Sequence, residues 1–344
     1  MSRSTFRLAI LSLLFALLAA GCGEAPAATV PATAPVPATA TVVEPTATPE
    51  EEQTAAPPVE GPARNPAEDT VLSSFITADF SGSGTCVLCH EGLRDEAGTN
   101  VSLTTAWRST MMANAAKDPV WQAKVSSEVA RFPMLQAVIE KKCVSCHMPM
   151  ARTQAEVEGQ TVAAQGDGFF DPAHPLHEAG IEGVSCTLCH QIGDAGLGTM
   201  ESFSGGYGVD TSTEPPFRQA FGPYKDPFGR PMQMHTGFEP VYGAQTEAAE
   251  LCATCHNLYT PYVDAQGNVL GEFPEQTPYT EWENSSFGGA VPCLGCHMPQ
   301  ASGGVVISLM PGRLAPREPF FQHWFVGGNA LMLRILADWG AELE

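Results

Sequence analysis

The cysteines are the feature that most restricts what this chain can fold into, because ten of its 11 cysteines form CxxC pairs. A histidine follows every pair at once. Only 9 of the 344 residues are histidine, so five coincidences of this kind do not arise from composition. In chain order, motifs 1 to 5 are Cys86-Cys89-His90, Cys143-Cys146-His147, Cys186-Cys189-His190, Cys252-Cys255-His256 and Cys293-Cys296-His297. The fold must therefore position five copies of the same CxxCH cluster.

The spacing within the motif fits the covalent attachment of a c-type haem. Two intervening residues let both sulfurs reach the two vinyl groups on one edge of a porphyrin, and the next imidazole can then bind the iron from below. We therefore predict five haems c, with the ten paired cysteines as attachment points and the five motif histidines as proximal ligands. Two alternatives stay open. Zinc binds CxxC pairs without requiring the histidine, and disulfides in an exported chain leave the five histidines unexplained.

The N-terminus carries an export signal. Arg3 and Arg7 precede an apolar run over residues 8–20, which is the length of a signal peptide and too short for a membrane span. Residues 18–22 (LAAGC) resemble the lipobox of bacterial lipoproteins. The resemblance implies cleavage after residue 21 and lipidation of Cys22, so we expect a lipid-anchored protein facing the periplasm or the cell exterior. The alternative is a plain signal peptide with an incidental cysteine.

Two further regions follow the signal peptide at 1–21. Residues 22–68 are rich in Ala, Pro and Thr, which favours an extended, semi-rigid linker between the membrane anchor and the folded body at 69–344. The chain has 38 acidic and 17 basic residues, a net charge of −21. This balance argues against nucleic acid as a partner and favours redox proteins, including a basic one, although donor and acceptor are not specified.

The CxxCH motifs also suggest an internal repeat. Motif 1, Trp107 and motif 2 match motif 4, Trp282 and motif 5, and both second motifs continue as CHMPxA. We therefore predict a 2+1+2 chain of haems in which motif 3 is a single site between two modules of two haems. The shared tryptophan would either pack against a porphyrin or serve as an ordinary core aromatic.

The chain resembles the multihaem cytochromes of the cytochrome c-554 and hydroxylamine oxidoreductase group. The resemblance covers residues 80–332 and rests on the CxxCH sites, Trp107-Arg108-Ser109, Gly183-Val184-Ser185-Cys186, the CHMP tails and the segment HWFVGGN at 323–329. It implies a multihaem cytochrome c fold that is mainly α with extensive loops. It does not fix a reaction, because the group contains both carriers and enzymes.

The distal iron ligands decide between these functions, since two strong ligands favour electron transfer and an open position permits reaction. Outside the motifs only four histidines remain, His174, His177, His235 and His323. We predict them as distal ligands, which leaves the set one short. Met111 and Met112, on a predicted helix over 107–117, can fill the deficit or simply fill the core.

Three functions follow from this count. The first is electron transfer by a membrane-anchored pentahaem cytochrome, which is not an enzyme. The alternative is an oxidoreductase that acts on a small nitrogen or sulfur compound at one open haem; no motif replaces the proximal histidine with lysine, and no tyrosine crosslink is assigned. The third is self-assembly, in which a histidine from a second copy completes the ligand set.

The sequence also predicts two local elements, a hairpin over 262–270 and a helix over 329–340 capped by Asn329.

Overall fold

The computed structural model describes residues 72–343, with side chains to residue 338. The predicted signal peptide, Cys22 and the whole of the linker at 22–68 lie outside the described residues. Helix makes up 37% and strand 13% of the structure, so helix predominates but a mainly α fold is not clearly supported. The helices are α1 Gly84–His90, α2 Leu103–Arg108, α3 Pro119–Arg131, α4 Gln136–His147, α5 Pro149–Val157, α6 His177–Ile181, α7 Cys186–Cys189, α8 Arg230–Thr236, α9 Ala249–His256, α10 Pro278–Glu283, α11 Cys293–His297 and α12 Ala330–Leu343.

The strands form two small sheets. Strands β1 (Arg218–Gly222) and β2 (Phe238–Tyr242) pair in parallel, with α8 as the connection between them. Strands β3 (Leu258–Val263) and β4 (Val269–Gln276) pair antiparallel, which confirms the predicted hairpin. The turn of this hairpin contains Gly267 at φ +85°, a left-handed conformation that favours glycine.

The largest core cluster packs α3, α4 and α5 around motif 2. Trp121 and Val125 of α3 meet Val144 of α4 and Met150 of α5, all at most 8% exposed. Helix α3 begins well because Pro119 occupies its first turn and the Asp118 carboxylate accepts the N–H groups of Val120 and Trp121. Two smaller clusters lie elsewhere, one containing Leu93, Val305 and Phe320 and the other Phe203, Ala253 and Tyr279.

The predicted helix over 107–117 is wrong, because α2 ends at Arg108 and turns follow to Lys117. Polar side chains compete with the helical pattern there: the Asn114 amide donates to the carbonyls of Arg108 and Thr110. The C-terminal helix is confirmed as α12, and the N–H of Met332 donates to the Asn329 carboxamide as expected for a cap. Among residues 72–343, no helix is both long and apolar enough to cross a bilayer.

Candidate functional site

Each CxxCH motif lies at the C-terminal turn of a helix. Motifs 1, 2, 4 and 5 end α1, α4, α9 and α11 at their histidines, and motif 3 forms α7 with His190 as the residue that caps it. Cysteines three residues apart lie on one face of a helix, so both thiols of a motif point the same way. The ten paired cysteines are all free thiols. Local sequence and helix geometry thus assemble five similar clusters.

Four of the five motif histidines are oriented by a backbone carbonyl. The Nδ1 atoms of His90, His147, His190 and His297 lie 2.7, 2.8, 2.5 and 2.7 Å from the carbonyl oxygens of residues 307, 115, 221 and 326. A carbonyl can only accept, so each Nδ1 carries the proton and each Nε2 keeps a free lone pair. This is the arrangement by which proteins prepare a histidine to bind a metal. Within the described chain, His256 makes no such bond.

Burial also keeps several of these imidazoles neutral. Loss of hydration lowers the pKa of His90, His147 and His190 from the usual value. Trp121 stacks on His147 with ring centres 4.3 Å apart and planes within 1° of parallel. A neutral, immobilised imidazole is the form that ligates iron.

His323 faces His190 across a gap. Their ring centres are 6.3 Å apart and their planes differ by 18°. Two imidazoles whose nitrogens lie about 2 Å from one metal would have ring centres about 6 Å apart. The Nδ1 of His323 contacts its neighbouring carbonyl at Phe321, 3.2 Å away, which again frees Nε2. The pair therefore has the spacing of two axial ligands of one iron.

Motifs 1 and 3 open onto a shared cavity. Its volume is about 370 Å³, in the usual range for cofactor pockets, and its lining is mostly apolar. Both motif histidines, His90 and His190, line it, as do His235, His323 and Met112. Burial, reinforced by His190 and His90, lowers the pKa of His323 to about 3. The cavity gathers two predicted proximal ligands with two predicted distal histidines and one of the two predicted methionines. Met111 is not among its lining residues.

The two histidines at 174 and 177 differ in the role of Nδ1. His177 Nδ1 contacts the carbonyl of Phe169 at 2.9 Å, so its Nε2 is free. His174 Nδ1 instead accepts the N–H of Leu176 at 3.0 Å, which puts the proton of a neutral ring on Nε2. Of the two, His177 has the ligand form.

Cysteines of different motifs meet in three places. Cys86 of motif 1 lies near Cys186 of motif 3, and the interaction between them together with burial raises the pKa of Cys86. The same kind of contact joins motifs 2 and 4 and motifs 4 and 5, through the pairs Cys146–Cys255 and Cys252–Cys293. Burial and then the charge of Cys255 raise the pKa of Cys189 to about 12, so motif 4 is close enough to motif 3 to act on it electrostatically. The five clusters form one connected group with motif 4 at its centre.

These contacts differ from the predicted repeat. The indole N–H of Trp107 donates to Val184, two residues before Cys186, and that of Trp282 donates to Val291, two residues before Cys293. In space, then, motifs 1 and 3 correspond to motifs 4 and 5, whereas the sequence repeat pairs motif 1 with motif 2. Motif 3 packs beside motif 1, because the chain folds Gly183-Val184 onto the turn after Trp107, where Val184 N–H donates to the Met112 carbonyl. A side chain at Gly183 would clash with the Met112 carbonyl.

The segment 323–326 contributes to two motifs at once. His323 faces His190 of motif 3, while the backbone of Val326 exchanges two hydrogen bonds with His297 of motif 5. Between them Phe325 has φ +40°, an unusual value for a bulky residue. Sequence reasoning identified His323 but missed Phe325 and Val326, as it missed the carbonyls of Phe221 and Ile307. Backbone groups of this kind leave no signal in residue type.

The residues present fit haem c. Each motif supplies two thiols on one helical face, four motif histidines keep Nε2 free, and the cavity beside motifs 1 and 3 is apolar. With respect to the alternatives, no cluster of three or more His, Cys, Asp or Glu residues suited to a metal ion is present between residues 72 and 343. Because cysteines of different motifs lie close together, the disulfide alternative stays open, and an intact-mass measurement tests it.

The comparisons with known proteins gave no match to a family model, to a curated protein or to a solved structure. The similarity to multihaem cytochromes therefore rests on the motifs.

Proposed function

We propose that this protein is an electron carrier with five covalently attached haems c. When bound, each haem supplies an iron that cycles between two oxidation states. The ten motif cysteines hold the five haems, and His90, His147, His190, His256 and His297 serve as proximal ligands. The lipid at Cys22 anchors the chain to a membrane, so that it relays electrons between the respiratory chain and periplasmic or extracellular partners.

The observation that carries the proposal is the set of cysteine contacts between motifs. Attachment residues that touch across motifs require the attached groups to lie side by side, and electron transfer depends on such proximity. The His190–His323 geometry adds support, because an iron held by two imidazoles has no open position and is suited to electron transfer.

One observation favours a second function, an oxidoreductase with one open haem. All nine histidines of the chain lie within the described residues. With the Nε2 of His174 carrying the proton, three histidines, His177, His235 and His323, remain as distal candidates for five irons, and of the two methionines Met112, not Met111, lines the cavity beside motifs 1 and 3. One iron would then keep an open position for a small nitrogen or sulfur compound, as in a reductase or oxidase.

The first experiment is electron paramagnetic resonance of the oxidised, haem-loaded protein, together with an iron count and an intact mass. Five irons per chain, all low-spin, support the carrier. A stoichiometric high-spin signal that changes on addition of nitrite or hydroxylamine supports the oxidoreductase. A mass that corresponds to protein alone, with or without disulfides, contradicts both.

A further inference from the structure

The tip of the α3–α4 hairpin, residues 131–138, presents apolar side chains to solvent. Phe132 is 37% exposed, Met134 94% and Val138 53%. The backbone of the tip is nonetheless ordered by hydrogen bonds: the N–H of Phe132 donates to Glu128 and that of Leu135 to Phe132, both at 2.9 Å. An exposed apolar group on an ordered element is a feature of binding surfaces.

The charge of the tip is opposite to that of the chain. Arg131 is exposed and makes no ion pair within the described residues, and Lys142 lies one turn beyond Val138 on the same face of α4. The one acid of α3 and the one acid of α4 are paired or buried. Glu128 pairs with Lys124, and Glu140 is 1% exposed and accepts the N–H of Ala164. A protein of net charge −21 thus has a locally cationic, apolar projection.

The tip is distant from the nearest CxxCH motif. Gln136, the first residue of α4, lies seven residues before Cys143, which is about 10 Å at about 1.5 Å per residue, and Phe132 and Met134 lie beyond that first turn. The attachment residues Cys143 and Cys146 therefore lie toward the opposite end of α4 from Phe132 and Met134.

We propose that the hairpin tip binds the surface of an anionic phospholipid bilayer. Apolar side chains flanked by cations are the combination that holds a segment at a lipid headgroup layer. The acidic remainder of the chain is repelled by the same surface, so the tip makes the contact and orients the body. This function goes beyond electron transfer and does not depend on it.

The test is hydrogen exchange of the full haem-loaded chain on vesicles of phosphatidylcholine, alone or mixed in equal parts with phosphatidylglycerol. We expect the peptide covering 131–138 to exchange more slowly on the anionic vesicles, while the turn of the β3–β4 hairpin is unchanged. Met134→Asp should abolish the protection. Arg131→Gln should reduce it about fivefold, since one cation at an anionic surface contributes about 1 kcal/mol. Leu270→Asp, at an equally apolar and 62% exposed position, is the matched control.

Three results overturn the proposal. Equal protection on both vesicle types would show that anionic lipid is not required for binding. Protection without vesicles that grows with protein concentration shows that a second copy occupies the tip, and no protection at all leaves it without a lipid partner. Exchange is read peptide by peptide, so protection of residues 131–138 relative to the β3–β4 turn is distinguished from attachment through Cys22, which lies in a different peptide.

Discussion

At the scale of single residues, the histidines differ in the hydrogen-bond partner of Nδ1. His177 has Nδ1 on a carbonyl and His174 has Nδ1 on an N–H, so only His177 presents a free Nε2. We expect His177→Ala to convert one low-spin haem into a high-spin one, because its distal ligand is lost. Electron paramagnetic resonance of the oxidised protein measures the change.

The neighbouring His174→Ala is the matched control and should leave the low-spin count unaltered. If His174→Ala produces the high-spin signal and His177→Ala does not, the sorting by Nδ1 is incorrect.

The carboxyl group of Glu182 is buried between motifs 1 and 3. It accepts the N–H of Ser83 at 2.5 Å and the hydroxyl of Ser185 at 2.9 Å, and it is 7% exposed. Burial raises its pKa above the usual 4.5. The folded state therefore binds the proton more tightly than the unfolded state, and stability falls as pH rises from about 4.5 through the folded pKa, by at most about 1.4 kcal/mol per pH unit.

We expect Glu182→Gln to remove this part of the pH dependence, because the amide keeps an acceptor oxygen but does not ionise. Urea unfolding at a series of pH values measures the slope. Glu283→Gln, at an exposed carboxylate, should leave the slope as in the parent protein. If Glu182→Gln instead changes the free energy of unfolding by the same amount at every pH, Glu182 is not the source of this pH dependence.

At the scale of elements, strand β1 is joined to motif 3 by two hydrogen bonds. Phe221 accepts a hydrogen bond from the His190 ring and donates one to its backbone carbonyl. The strand is tied to the N-terminal segment by an ion pair between Arg218 and Asp79, whose side chains are 3% and 2% exposed. The Gln191 side chain, next to His190, donates to the Asp79 carbonyl. The ion pair thus joins the two segments that hold motif 3.

We expect Arg218→Met to destabilise the fold by about 3–5 kcal/mol, because it leaves the Asp79 carboxylate buried and unpaired. The double variant Asp79→Leu/Arg218→Met should recover most of this loss, since an apolar pair of similar volume carries no desolvation cost. Chemical denaturation of the three proteins provides the comparison. A double variant no more stable than Arg218→Met would show that the charges themselves are required.

The elements also show where sequence reasoning succeeds. The β3–β4 hairpin and the Asn329 cap were predictable, because turn residues and a capping side chain act within a few residues of themselves. The end of α2 at Arg108 was not predictable, because the Asn114 side chain forms local hydrogen bonds that outweigh the apolar pattern. The five clusters follow from the CxxCH spacing. The carbonyls that orient their histidines lie 29 to 217 residues away in the chain and cannot be predicted from it.

At the scale of the whole molecule, the order of the motifs in space differs from their order in sequence. Interactions between cysteines link motif 1 to 3, 4 to 5 and 2 to 4, and charge at motif 4 acts on motif 3. The repeat in the sequence suggested two separate pairs around motif 3. Long loops between the helices allow the chain to fold a later motif against an earlier one, so similarity along the chain does not determine which motifs become neighbours.

This arrangement makes motif 4 the junction of the proposed electron path and motif 2 a side branch. We expect Cys252→Ala/Cys255→Ala, which removes the attachment points of motif 4, to slow electron equilibration among the remaining haems severely, because motif 5 loses its neighbour. The matched variant Cys143→Ala/Cys146→Ala removes motif 2 and should leave equilibration among the other four nearly as fast as in the parent. Rapid-mixing absorbance after partial reduction measures both, with circular dichroism and an iron count of four verifying that each variant folds and keeps its other haems. Equal slowing in the two variants would mean that electrons do not pass through motif 4 in preference to motif 2.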